Sequence, residues 1–100
     1  MKTTIEEQKD RFLVTLDGEL DTVAAVEVNE TLKPLYDASG KDVDIDCSHL
    51  EYIASSGLRI LITIVKAAKA GGSKVVMHSV NDDIRDVLKM TGFISLFEMA

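Results

Sequence analysis

Residues 42–47 read Asp-Val-Asp-Ile-Asp-Cys, a strict alternation of charged and apolar side chains. In an extended chain successive side chains point to opposite faces, so Val43, Ile45 and Cys47 share one face while Asp42, Asp44 and Asp46 share the other. This pattern fits a strand with one buried face and one face toward water. It predicts a sheet open on one side, with whatever helices the chain forms gathered on the other.

The rest of the chain supplies those helices. Phe12, Val14 and Leu16 alternate as a strand, and Gln8-Lys9-Asp10 offers a turn back to residues 3–7, which predicts an opening hairpin. After Asp17-Gly18-Glu19-Leu20, Asp21-Thr22 form a helix N-cap followed by Ala25, Val28, Leu32 and Leu35 at helical spacing. Pro34 lacks an N–H and crowds the preceding turn, so the helix kinks or stops near it, and Asp37-Ala38-Ser39-Gly40 ends the segment. From Ser55 to Ala70, Leu58, Leu61, Ile62, Val65 and Ala68 make a second apolar stripe closed by Gly71-Gly72. Residues 74–78 read as a strand. Ser79 with Asp82 resembles a capping box ahead of Ile84, Val87, Leu88 and Thr91, a third helix stopped by Gly92, and residues 94–98 read as a short strand or tail. The order β-β-α-β-α-β-α-(β) joins parallel strands through helices. It predicts a single α/β domain over residues 1–100, with a mixed four- to five-stranded sheet and helices mainly on one face.

Composition narrows the function. The formal charge is −6 and the eleven Lys and Arg are scattered, whereas phosphate binding needs a concentrated basic surface, so no direct nucleic-acid role is expected. The apolar run around 58–70 is broken by Arg59, Thr63, Lys66 and Lys69 and falls short of the roughly 20 apolar residues of a span, so no membrane role is expected either. One cysteine excludes an internal disulfide, and the start lacks a signal-peptide pattern, which together fit a reducing cytoplasm. His49 and His78 stand alone, without the clustered ligands of a metal site. Ser39-Gly40-Lys41 lacks the upstream glycine and strand of a nucleotide loop, and no nucleophile stands beside a base. The chain is expected to bind a protein rather than to catalyse, with no cofactor.

The informative segment is Ile53-Ala54-Ser55-Ser56-Gly57-Leu58, where a strand-to-helix connection brings two hydroxyls to the positive end of a helix. Serine is a favoured N-cap worth about 1 kcal/mol, and Gly57 lets the backbone turn tightly, so structural need alone accounts for the pair. An exposed hydroxyl here also suits a phosphoryl group, because free N–H groups and the helix dipole favour an anion. Asp21 lies near Ser55 if both helices start at one end of the sheet. Ile60 and Ile64 sit off the core stripe and form an apolar partner patch if exposed, or join the core if the buried face is wide.

The run from Val43 to Leu58, with Gly18-Glu19-Leu20-Asp21 before it and Met90-Thr91-Gly92-Phe93 after it, resembles the STAS domain of bacterial anti-sigma-factor antagonists. The resemblance implies a partner switch: the unmodified protein binds an anti-sigma factor that is also a serine kinase, phosphorylation by that kinase ends the binding, and a PP2C-type phosphatase restores it. It places the acceptor on Ser55, the second serine on Ser56 and the acidic residue of the first helix on Asp21. Gly57, Ile60 and Ile64 complete the expected partner-binding set. The family usually has Asp before the acceptor, where this chain has Ala54. The alternative function is an unphosphorylated STAS scaffold subunit of a lipid transporter or signalling complex.

Overall fold

In the computed structural model, which describes residues 1–37 and 40–100, β1 (Lys2–Glu7) and β2 (Arg11–Leu20) form the opening hairpin, paired from Lys2–Asp17 to Glu7–Phe12. The chain then enters α1 (Thr22–Thr31). This helix stops short of Pro34 and passes into a 3₁₀ helix, Lys33–Asp37. The part of the expected loop at Ala38 and Ser39 lies outside the described residues, and with it part of the Ser39-Gly40-Lys41 run. Next come β3 (Asp42–Ile53), α2 (Ser55–Ala70), β4 (Val75–His78), α3 (Asp82–Thr91), a 3₁₀ helix over Phe93–Leu96 and β5 (Glu98–Met99).

The five strands lie in the order β1-β2-β3-β4-β5, with only the first pair antiparallel. Each helix therefore joins two neighbouring parallel strands, and the chain always steps the same way across the sheet. Right-handed crossovers then stack all three helices on one face. Val43, Ile45 and Cys47 are buried beneath them, and Asp46 is exposed on the other face. There Asp44 accepts a hydrogen bond from Arg11 Nη1 (3.0 Å) and faces His78 Nε2 (2.8 Å), tying β2, β3 and β4 across the open side.

Both strands that lead toward the helix starts are longer than the alternation indicates. Along β3 the buried positions are Val43, Ile45, Cys47, Leu50 and Ile53, so the spacing widens from two to three after Cys47. The register explains it: Thr15 faces Asp46 but Asp17 faces His49, and Gly18 faces Leu50 while Glu19 faces Tyr52. Each irregularity inserts one extra residue in β3, a bulge that breaks the period without ending the strand. Asp46 Oδ1 accepts from Ser48 N (2.9 Å) at the first bulge, and that bond holds the Asp46 carboxyl below its usual pKa.

Two expected boundaries are corrected. The cap of α3 is Asn81, not Ser79: Asn81 Oδ1 accepts from Ile84 N (2.8 Å), and its Nδ2 donates to the Leu50 carbonyl (3.0 Å), so one side chain both starts the helix and pins it to β3. Ser79 stands outside with a left-handed backbone, φ 59°. Residues 94–98 are mostly a 3₁₀ turn, with only Glu98 and Met99 adding to the sheet.

The core lies between sheet and helices, with Leu16, Leu20, Ile45, Leu61, Ile64 and Met77 among its fully buried members. Cys47 belongs to it, and burial, helped by the neighbouring Asp46 charge, pushes its thiol pKa up to about 12. A thiol of that pKa is almost wholly protonated at neutral pH and a poor nucleophile. We expect Leu61→Ala to lower the unfolding free energy in urea by about 2–5 kcal/mol, as deletion of a buried Leu does. Lys66→Ala, on the exposed side of the same helix, should change it by less than about 0.5 kcal/mol.

Candidate functional site

The site is built where β2 and β3 end side by side. Leu20 pairs with Ile53, and the next amide, Ala54 N, donates to the Leu20 carbonyl (2.8 Å). The two chains diverge from there into α1 and α2, so Asp21 and Ser55 emerge together at one edge of the sheet. Asp21 caps α1, its Oδ1 accepting from Ala24 N at 2.8 Å.

The start of α2 is different. Its N-cap is Ala54, which has no side chain to offer, and no side-chain cap bond is made. Ser55 is the first helical residue and its side chain is exposed. The expectation that serine caps this helix is thereby corrected: Ser55 lies one position too late in the helix. First-turn amides have no partner within the helix, and here none of them receives a side-chain cap. No acidic residue occupies that first turn.

Ser56 is half-buried, and among the described residues its Oγ has no hydrogen-bond partner although the atom is fully buried. It faces a hollow of about 490 Å³ between α1 and α2, lined also by Ala25, Val26, Tyr36, Arg59 and Ile60. On the other side of the helix, Ser55 forms the rim of a hollow of about 360 Å³ with Leu58, Arg59, Ile62, Thr91 and Phe93. The family-like run Met90–Phe93, far away in sequence, thus comes to lie beside Ser55.

Three of the expected partner residues turn inward. Ile60 is 8 % exposed and Ile64 0 %, so they are core, not an apolar patch. The reason is that α2 is flanked by α1 and the 33–37 turn on one side and by the 93–96 turn on the other, which widens its buried face. Gly57 is buried as well, and a Cβ there would stand 2.5 Å from Leu20 Cγ and 3.2 Å from the Leu20 carbonyl oxygen. Its lack of a side chain is what lets α2 press against the end of β2.

The exposed apolar residues lie elsewhere. Val23 and Val26 on α1 are 83 % and 72 % exposed, one helical turn apart and next to the Asp21 cap. Arg59, on α2, lines both hollows. The sequence marks the valines only as apolar positions off the α1 core stripe, and it marks Arg59 only as a break in an apolar run.

Ser55→Ala should leave the melting temperature almost unchanged, within the usual ±0.5 kcal/mol of a surface change, because no cap bond is lost. Asp21→Ala should cost about 1 kcal/mol as a lost cap. Gly57→Ala should cost about 1–3 kcal/mol through overpacking against Leu20. Thermal melts of the three variants check the assignment, and a Ser55→Ala loss as large as that of Asp21→Ala would restore the serine as a cap.

A model of the STAS domain matches residues 2–100. BtrV of Bordetella bronchiseptica is 26 % identical over 100 residues, covering 100 % of this chain and 86 % of that protein. The anti-sigma-B factor antagonist of Staphylococcus aureus is 26 % identical over 92 residues, covering 91 % of this chain and 85 % of its own. The crystal structure of an anti-sigma factor antagonist from Mycobacterium paratuberculosis superposes with a TM-score of 0.78 at 28 % identity, covering 98 % of this chain and 83 % of that one.

Proposed function

The chain belongs to the STAS domain family, and from that premise we propose that it is an anti-sigma-factor antagonist, a binding protein and not an enzyme, switched by phosphorylation of Ser55. One observation carries this reading: Ser55 is an exposed hydroxyl at an uncapped helix start, beside an apolar hollow, with no structural task of its own. Relatives named as anti-sigma factor antagonists support the partner class.

In the unmodified state the hollow walled by Leu58, Ile62 and Phe93, with Val23 and Val26 on α1, offers apolar surface to an anti-sigma factor. Asp21 supplies charge at its edge. The partner is a serine kinase acting in the cytoplasm; among the described residues no helix is long and apolar enough to cross a membrane. In the transfer step Ser55 Oγ bonds to the γ-phosphorus of the kinase's ATP, the bond from that phosphorus to the β,γ-bridging oxygen breaks, the hydroxyl proton passes to a base of the kinase, and ADP leaves. The product carries about −1.5 to −2 charge at the helix start, where the amides and dipole accept it, so the fold persists. In the complex the same charge enters a desolvated contact and costs several kcal/mol. A PP2C-type phosphatase reverses the change by directing water onto the phosphorus, which returns the serine hydroxyl and releases inorganic phosphate.

Ala54 favours a second reading, a STAS scaffold subunit of a lipid transporter or signalling complex in which Ser55 is never modified, because the family's acidic residue before the acceptor is missing. Purification of the tagged protein from its native cell separates the two: a kinase-like ATPase supports the switch, and transporter components support the scaffold.

Calorimetric titration with the cognate anti-sigma factor tests the switch. Phosphorylated Ser55 should bind at least about tenfold more weakly than the unmodified chain, equal to about 1.4 kcal/mol. Ser55→Asp should weaken binding less, and Ser55→Ala should bind and resist release. Equal affinities of the phosphorylated and unmodified forms would end the proposal, and a phosphorylated form that melts early would trace the loss to misfolding instead.

A further inference from the structure

Resting on the reading of Ser55 as a phosphorylated residue, we propose that Arg59 is the positioning residue for its phosphate, pairing with it along the face of α2 and holding it over the adjacent hollow. Ser55 and Arg59 are four residues apart in one helix, and side chains at that spacing lie on the same face with Cβ atoms about 5–6 Å apart. Both line the hollow with Leu58, Ile62 and Phe93, so the guanidinium and the hydroxyl border the same space.

Arg59 is also unclaimed. Among the described residues it makes no ion pair and no side-chain hydrogen bond, and its side chain is exposed. The carboxylate that shares its other hollow, Glu30, is taken by Lys33 at 3.0 Å. No acidic side chain in the first turn of α2 competes for it. Any helix start tolerates an anion, but a guanidinium one turn further on supplies paired donors that match phosphate oxygens. The phosphate is thus directed across the mouth of the apolar hollow instead of swinging freely into water, and it closes the surface that the partner needs.

The pairing itself is tested without the partner protein. The full chain carrying genetically encoded phosphoserine at position 55 is titrated by ³¹P NMR, with Arg59, Arg59→Lys and Arg59→Gln compared at low salt. Phosphoserine loses its second proton near pH 6, and a nearby cation favours the dianion and lowers that midpoint. The midpoint with Arg59 should lie below that of Arg59→Gln by about half a pH unit or more, with Arg59→Lys between them. The gap should shrink in 1 M salt, as an exposed pair must. Arg59→Gln keeps the helix start, so whatever depression it retains belongs to the amides and dipole. Equal midpoints for Arg59 and Arg59→Gln in proteins that melt alike would overturn the assignment. If the midpoints differ while phosphorylation leaves affinity for the anti-sigma factor unchanged, the pairing stands and the release mechanism falls.

Discussion

The close approach of α2 to the end of β2 is the contact on which the functional edge depends. Leu20 is fully buried, its carbonyl accepts from Ala54, and Gly57 lies against its side chain with no room for a methyl group. Burial, one directional hydrogen bond and one steric constraint therefore meet at a single residue. Together they fix where α2 begins relative to α1, and so they bring Asp21 and Ser55 to neighbouring positions. A larger residue at 57 would move the start of α2 away from the strand, and the hollows on either side of it would change shape.

The distribution of polar and apolar surface follows from one topological choice. Because the chain steps across the sheet in one direction, every helix falls on one side, and α2 is held between neighbours on both flanks. Its apolar side chains are consumed by the core on three sides. What remains at its start are Ser55, Arg59 and the hollow toward Phe93, with Val23 and Val26 exposed on α1. The opposite sheet face carries the carboxylates, with Asp46 exposed and Asp44 half-buried where it is shared between Arg11 and His78.

A helix start without a side-chain cap gives up roughly 1 kcal/mol that a serine or aspartate at position 54 would supply. At the starts of α1 and α3 the chain does use such caps, Asp21 and Asn81. The exception is the helix start at which Ser55 stands exposed. Asp21 and Ser55 thus occupy adjoining helix starts with opposite roles, the first committed to its own backbone and the second left free.

The strands and helices were legible wherever a local period decided them. The alternation over 42–47 placed Val43, Ile45 and Cys47 inward, the spacing over 55–70 marked α2, and Pro34 and Gly92 marked where helices stop, because each of these depends on backbone geometry within a few residues. The continuation of β3 to Ile53 was not legible, since bulges are produced by pairing with β2 and destroy the period that reveals a strand. Nor was the fate of Ile60 and Ile64 or the close packing of Gly57, because burial on the flank of a helix depends on what lies beside it. The sequence by itself determined the elements, their order and the candidate hydroxyl at Ser55. Tertiary structure alone decided that this hydroxyl stands beside Phe93 and next to the start of α1, since only the packed fold brings together side chains from separate strands and helices.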